Sequence, residues 1–183
     1  MTPSDFLVQV LIPGITWADP GYGAMPPASK EARLLLLSIA LQESGLENIQ
    51  QGGDGPGRGY FQMEPPTCGL ILMNPASRSM AELVCLAASV VADQDGVYGA
   101  LITKPVQIAV PFARLDLWCD PRPLPAYGDT DAAWEAYAYR DWRPGAVAKG
   151  GESAIQARQR WSVNYAAALA ADRAYLAGKE AVG

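Results

Sequence analysis

A mainly α-helical fold is predicted by three features of the sequence. Apolar residues recur at helical spacing, the two-residue alternation typical of strands is rare, and the last part of the chain is rich in alanine. The chain has 183 residues, of which 50% are apolar and 18% charged, which suits one domain with a sizeable core. We therefore predict a single mainly α domain over residues 1–183, without long β-structure.

The first elements are indicated by apolar runs and by the residues that begin or end helices. Phe6–Ile12 predicts a short helix, which Pro13-Gly14 is expected to end. Residues 17–27 are rich in Gly and Pro and predict a loop. A strong helix is predicted from Ser29, a suitable N-cap, to about Ser44, with a glycine directly after its end.

The glycine-rich stretch 47–59 separates this helix from the rest of the chain. It contains five glycines and predicts a turn-rich loop or a β-hairpin. Residues 61–64 predict a strand end or the lead into a helix that begins at Pro65. Further helices are predicted at Ala76–Ala92, at Val106–Trp118 with an interruption at Pro111, at Thr130–Trp142 and at Ser153–Ala177.

The composition excludes several kinds of chemistry. The chain has no histidine, which removes Ser-His-Asp and Cys-His catalysis and histidine metal sites. Cys68, Cys85 and Cys119 are too widely spaced for a metal pattern or a disulfide framework. We expect three buried or neutral thiols, with a single bridge as the alternative, and we expect no metal and no cofactor.

The charge and the apolar runs limit the partners. The net charge is −5 and no Lys/Arg cluster is present, so nucleic acid is not an expected partner. The apolar runs are far shorter than the roughly 20 residues that span a bilayer, so no membrane span is expected. The segment Met1–Asp5 lacks the positive charge of a secretory signal, so we expect no signal peptide of its own.

Glu43 is the candidate catalytic residue. Leu35, Ile39 and Glu43 follow one another at i, i+4, i+8, so the carboxyl group continues the apolar face of the predicted helix. Partial desolvation of a carboxyl group raises its pKa, and a carboxylic acid protonated near neutral pH can protonate a glycosidic oxygen. The alternative is that Glu43 merely ends the helix with its head in water.

A pair of motifs resembles those of lytic transglycosylases and goose-type lysozymes. The pair is Glu43-Ser44-Gly45-Leu46 followed by Gly59-Tyr60-Phe61-Gln62-Met63. A third segment, Ala138-Tyr139-Arg140, is similar to the Ala-Tyr-Asn element of that family, but Arg140 stands where Asn is usual. The stretch 137–145 also resembles phage-encoded lysozyme-like proteins, and Gly57-Arg58-Gly59 with Gln62 resembles plant-type chitinases. The resemblance covers about residues 30–147.

The resemblance implies a lysozyme-like helical domain with the glycine-rich loop or hairpin beside an active-site cleft. Segments 1–26 and 153–177 are expected to pack on its core. It implies cleavage of the MurNAc-GlcNAc bond of peptidoglycan, with one Glu as acid and base, by a lytic transglycosylase or a muramidase. Glu43 would then be catalytic, and the substrate-binding residues would be Ser44, Gly59, Tyr60, Gln62 and Tyr139.

A hydrolase would need a second carboxylate, which a lytic transglycosylase does not. Asp54 and Glu64 are the candidates that we find in the sequence. Asp54 is also a typical turn residue in Gly-Gly-Asp-Gly, and Glu64 is equally suited to the start of the helix at Pro65. Both alternatives stay open at this point.

A second class of function is also compatible with the resemblance. The chain could be a phage virion structural or assembly protein that keeps the fold with little or no activity, bound to other virion proteins. Arg140 and the missing signal favour that alternative. In either case the protein would belong to a phage virion or a host cell and would meet the periplasmic cell wall.

Overall fold

The computed structural model describes residues 1–17, 29–52, 55–142 and 152–181. Within these ranges the chain forms nine α-helices and three π-helical turns and contains no β-strand, which confirms the predicted mainly α fold. The α-helices are α1 (Pro3–Phe6), α2 (Ile12–Trp17), α3 (Lys30–Ser44), α4 (Pro65–Met73), α5 (Arg78–Ala88), α6 (Gln94–Thr103), α7 (Val110–Cys119), α8 (Thr130–Glu135) and α9 (Glu152–Glu180). The π turns are π1 (Leu7–Leu11), π2 (Pro105–Ala109) and π3 (Ala136–Asp141).

The glycine-rich loop before α4 is held by two isolated antiparallel bridges in its described residues. They join Gln50 to Arg58 and Arg58 to Met63. The amide of Gln51 also donates to the carbonyl of Gly57 at 3.0 Å. Of the two forms predicted for this stretch, the described residues therefore show a folded loop and not a regular hairpin.

The N-terminal helical segment continues through Pro13 and Gly14, so the predicted helix end at this pair is wrong. In π1 the amide of Ile12 donates to the carbonyl of Leu7, five residues earlier. This wide turn shifts the register of the backbone hydrogen bonds directly before Pro13. The proline ring, and the amide hydrogen that proline lacks, therefore disrupt the helix less. Gly14 also lets α2 approach α7, because a Cβ there would lie 2.5 Å from Cβ of Val110.

The predicted interruption at Pro111 is likewise absent. In π2 the amide of Val110 donates to the carbonyl of Pro105, so a second wide turn ends two residues before a proline. The chain then continues as α7, which packs against α2, α3, α4 and α5. Phe112, Leu115 and Leu117 on α7 are buried, so this helix belongs to the core.

The helix α3 has the bounds that the sequence predicts. The Oγ atom of Ser29 accepts a hydrogen bond from the amide of Ala32 at 3.1 Å, as an N-cap does. Gly45 ends the helix at φ 59°, a left-handed conformation that glycine adopts without strain. Leu35 and Ile39 are buried, so the predicted apolar face points into the core.

The C-terminal helix α9 lies along α3 and is tied to it by polar contacts. Gln42 Nε2 donates to the carbonyl of Ala157 at 3.1 Å, and Asn164 Nδ2 donates to Gln42 Oε1 at 2.8 Å. Farther along the two helices, the Arg33 guanidinium pairs with the buried carboxylate of Asp172. The helix is longer at both ends than predicted from the alanine-rich pattern.

The helix α6 has no counterpart among the helices predicted from the sequence. Asp93 caps it, because its Oδ1 accepts from the amide of Gly96 at 2.7 Å. Gly96 and Gly99 lower the helical propensity of this stretch, which hid it. The preceding helix α5 is shorter than the predicted Ala76–Ala92, because Ser89 takes a left-handed conformation at φ 54° and ends it.

The prediction of a helix over Thr130–Trp142 is confirmed by α8 and π3, which follow each other without a break. Trp134 of α8 and Tyr137 of π3 pack against Trp161 of α9. Among the described helices, none has both the length and the apolar character needed to cross a membrane.

Candidate functional site

A cavity of about 320 Å³ opens beside the C-terminal end of α3. It lies among the end of α3, the loop leading into α4, α7 and π3, and four of its lining residues carry carboxyl groups. The lining residues are Glu43, Gln51, Gln62, Met63, Glu64, Thr67, Asp116, Asp141 and Trp142. The cavity therefore brings Glu43, the predicted catalytic residue, together with Asp116 and Asp141, which are not among the site residues predicted from the sequence.

Glu43 lies in the last turn of α3 and reaches the cavity. Its side chain is partly buried. The hydroxyl of Tyr137 donates to Glu43 Oε1 at 2.6 Å. A short hydrogen bond from a buried tyrosine fixes the orientation of the carboxyl group. The alternative, in which Glu43 merely ends the helix with its carboxyl group in water, does not account for this contact.

Tyr137 is itself held by aromatic packing. Its ring stacks on Trp161 with centroids 4.7 Å apart and planes at 17°, and Trp134 lies 5.6 Å from it. Tyr137 is almost fully buried. The structure shows that the ring is core while the hydroxyl serves Glu43, a division that is common for tyrosine.

The π3 turn places two polar side chains on one side. The amide of Trp142 donates to the carbonyl of Tyr137 at 3.2 Å, five residues back, so the turn is wider than an α-turn. Tyr137 thereby reaches Glu43 while Asp141 lines the cavity. π turns of this kind occur often at functional sites.

Gln62 lies in the wall of the cavity and is fixed by the loop. Its Nε2 donates to the carbonyls of Asn48 and Gly59, at 3.0 and 2.8 Å. Gly59 has a φ of 72°, and a Cβ there would approach the carbonyl oxygen of Leu101 to 3.0 Å. The predicted Gly-x-x-Gln segment is therefore a rigid part of the wall, with its glycine required by both conformation and space.

The remaining predicted binding residues lie away from the cavity wall. Ser44 is buried, and its hydroxyl donates to the carbonyl of Ala40 at 2.9 Å, so it supports the end of α3. Tyr60 packs edge-on against Phe6 at 4.8 Å. Tyr139 is 45% exposed and points its edge at Trp134 rather than into the cavity.

The two predicted second carboxylates have different outcomes. Glu64 is exposed and lines the cavity, and it also directly precedes α4, where its side chain makes no capping hydrogen bond. Asp54 lies outside the described residues. Trp142, which also lines the cavity, donates from Nε1 to the carbonyl of Phe61 at 3.1 Å and so joins π3 to the loop.

Asp116 and Asp141 have strongly perturbed acidity. Burial, and then the charge of Asp141, raise the pKa of Asp116 to about 7. Burial also raises the pKa of Asp141 to about 7, together with its hydrogen bond to Asp120 and the charge of that residue. Perturbed carboxyl groups that line a cavity are typical of functional sites. The part of the chain that the structure describes holds no cluster of side chains arranged to bind a metal ion.

Asp120 lies behind Asp141 and stays ionised. Burial opposes its ionisation, but hydrogen bonds with Arg122, Asp141 and Arg140 hold its pKa far below the usual range. Arg140 Nη2 lies 2.8 Å from Asp120 Oδ2. Arg140 is therefore held in this ion pair, and it is not among the described residues that line the cavity.

The three cysteines are free thiols, as predicted. Burial, and next the charge of Asp116, raise the pKa of Cys68 to about 12. Burial, and next the charge of Asp93, raise that of Cys85 to about 11. Burial also raises the pKa of Cys119. The thiols are therefore protonated at neutral pH and are poor nucleophiles.

Comparisons of this chain with protein-family models, with curated proteins and with solved structures find no match.

Proposed function

We propose that this protein cleaves the glycan strand of peptidoglycan at the MurNAc-GlcNAc bond, with Glu43 transferring the proton. The observation that carries the proposal is the carboxyl group of Glu43, oriented by the Tyr137 hydroxyl at 2.6 Å, on the wall of a cavity. The motifs around Glu43 and Gln62 that resemble lytic transglycosylases supply the substrate class.

The cavity supports a carbohydrate ligand by its chemistry. Its volume of about 320 Å³ is within the range of small-ligand sites. Its lining offers carboxyl, amide and hydroxyl groups for sugar hydroxyls, and the indole of Trp142 offers an apolar face. The lining residues that the structure describes include no lysine or arginine, so this part of the wall offers no cation to a phosphate group.

The proposed reaction begins when the protonated Glu43 gives its proton to the glycosidic oxygen. The bond between C1 of MurNAc and that oxygen breaks, and its electron pair stays on the oxygen. C1 is then attacked either by the sugar's own C6 hydroxyl, giving an anhydro end, or by water, giving a reducing end. The attacking oxygen loses its proton to a carboxylate of the cavity, which in the anhydro route is Glu43 itself. Catalysis by a positioned acid contributes about 10²–10⁴ in rate.

Replacement of Glu43 by Gln tests the proposal. Purified peptidoglycan digested by the wild type is expected to release soluble muropeptides. Glu43→Gln is expected to lower the rate by about 10²–10⁴, because the side-chain amide is too weak an acid to protonate the glycosidic oxygen. Mass spectrometry of the fragments and their ends is the measurement. Glu47→Gln is the matched control, since Glu47 is exposed in the turn after α3.

Failure of the wild type to release any fragments between pH 5 and pH 8 contradicts the proposal. That result would favour the alternative of a phage virion structural protein with little or no activity. Equal release by the wild type and Glu43→Gln would leave a wall-degrading activity but would remove Glu43 from it.

Replacement of Tyr137 by Phe tests the orientation of the acid. The ring stack on Trp161 stays, so folding should change by only about 1 kcal/mol, the net value of a hydrogen bond. The rate of muropeptide release should fall about 10- to 100-fold, because a hydrogen bond to a charged group contributes about 1.5–3 kcal/mol. Tyr139→Phe is the control, since Tyr139 is 45% exposed and is not among the described residues that line the cavity, and its rate should equal that of the wild type.

A further inference from the structure

We propose that Asp116 is the second catalytic carboxyl group of this cavity and activates the water that attacks C1. This inference rests on the proposed glycan cleavage and makes the protein a hydrolase rather than a lytic transglycosylase. It replaces Asp54 and Glu64, the two candidates that the sequence suggests, with a residue of the core helix α7.

The position of Asp116 supports this role. It is the only acidic residue of α7, and its neighbours on that helix, Leu115 and Leu117, are buried. Its carboxyl group lines the same cavity as Glu43, and α7 packs against α3. Among the described residues, no side chain or amide forms a hydrogen bond with this carboxyl group. A carboxyl group in a cavity wall without a protein partner is available to bind water.

Asp141 lines the cavity as well, but its carboxyl group is engaged elsewhere. One side of it shares a hydrogen bond with Asp120, which Arg140 and Arg122 keep ionised. Its Oδ1 has almost no surface open to solvent and forms no hydrogen bond within the described part of the chain. Because one oxygen is closed to solvent and the group is bound to Asp120, we assign Asp141 a positioning role through its charge on Asp116 rather than contact with water.

Burial, and next the charge of Asp141 on π3, give Asp116 the proton affinity of a useful base. The other two acidic residues of the cavity lining are Glu43 and Glu64. The charge of Asp116 contributes to the raised pKa of the Cys68 and Cys119 thiols, and both thiols are protonated. The two arginines whose charges act on Asp141, Arg140 and Arg122, are bound to Asp120. A carboxylate that is half protonated near pH 7 is a far stronger base than an ordinary aspartate and is still available at neutral pH.

The proposed step balances as follows. The carboxylate of Asp116 takes a proton from water while the water oxygen forms a bond to C1. The bond from C1 to the glycosidic oxygen breaks, and its electron pair takes the proton of Glu43. Asp116 leaves the step protonated and Glu43 leaves it ionised, and proton exchange with solvent restores both.

The first test compares Asp116→Asn with Glu47→Gln, the same kind of change at an exposed carboxyl group that does not line the cavity. Digestion is carried out in water enriched in oxygen-18. The wild type and Glu47→Gln should release reducing ends that carry one heavy oxygen, with a rate that rises through about pH 7. Asp116→Asn should release them about 10²–10⁴ more slowly and should lose that rise.

The second test uses azide, which attacks C1 without a base. Asp116→Ala in azide should release glycosyl azide at a rate well above its rate in water, while Asp141→Ala should gain nothing. A merely structural role of Asp116 cannot produce this rescue. Circular dichroism of each variant establishes that it is folded before its rate is compared.

Four outcomes overturn the inference. Wild-type release of anhydro ends alone, with full activity of Asp116→Asn, leaves the proposed function intact but removes the water-activating base. Unchanged hydrolysis by Asp116→Asn, or azide rescue of Asp141→Ala alone, removes Asp116 from the role. Absence of any release by the wild type overturns the proposed function and this inference with it.

Discussion

Replacement of Asp172 by Ala is expected to lower the free energy of unfolding by about 3–5 kcal/mol. Asp172 is fully buried on α9, and its carboxylate pairs with the Arg33 guanidinium of α3, whose side chain is only 11% exposed. The hydroxyl of Tyr127 also donates to Asp172 Oδ2 at 2.8 Å. Loss of the carboxylate leaves a buried cation and a buried hydroxyl without their acceptor, which costs more than the pair contributed.

Urea unfolding followed by far-ultraviolet circular dichroism measures this change. Glu82→Ala is the control, because Glu82 and Arg78 form an exposed pair four residues apart on α5. That variant should stay within about 0.5 kcal/mol of the wild type. A loss in Asp172→Ala no larger than in the control would show that α9 is not held to α3 by this pair.

The second large effect is a fall in stability as the pH rises from about 4 to about 7. Asp116 and Asp141 both have a pKa raised to about 7 in the folded protein, against about 4 for an unfolded aspartate. Between these values the folded state binds more protons than the unfolded state, so each unit of pH removes up to about 1.4 kcal/mol per group. Because the two groups are coupled, we expect a fall of a few kcal/mol in total between pH 5 and pH 8.

Asp120 does not oppose this trend in the same window. Its pKa is lowered, so its contribution to stability is present above about pH 4 and is lost only at lower pH. Asp116→Asn should therefore be more stable than the wild type at pH 8 and should differ little from it at pH 5. Urea unfolding at both pH values measures this, and Glu64→Gln serves as the control. A wild-type stability that is constant or that rises from pH 5 to pH 8 would contradict the raised pKa values of Asp116 and Asp141.

These two stability predictions also bear on the catalytic inference. A carboxyl group kept for packing should stabilise the fold, so its replacement should weaken the protein. A buried catalytic carboxyl group lowers the stability of the fold, so its replacement should raise the free energy of unfolding while it lowers the catalytic rate. Asp116→Asn is expected to follow the second pattern and Asp172→Ala the first.

Much of the helical fold follows from local patterns in the sequence. The bounds of α3 were predictable because the N-cap Ser29 and the left-handed Gly45 act over one turn of chain. The continuation of two helices through Pro13 and Pro111 was not predictable in this way. Each proline follows a π turn, and α2 and α7 approach each other closely at Gly14, which is a feature of the tertiary structure. The glycines of α6 hid that helix, since packing overrode their low propensity.

The candidate site was predictable only in part. The sequence alone determined a mainly α chain, an apolar helix that ends at Glu43, and a glycine-rich loop that brings Gln62 after it, because caps, periodicity and turn residues are local signals. The tertiary structure alone decided that Tyr137 orients Glu43 and that Asp116 and Asp141 share its cavity. Those residues are 73–98 positions away along the chain from Glu43. Helical spacing in the sequence does not distinguish a side chain that faces the core from one that faces the cavity. The pKa of each carboxyl group depends on burial and on neighbouring charges, which only the folded chain brings together.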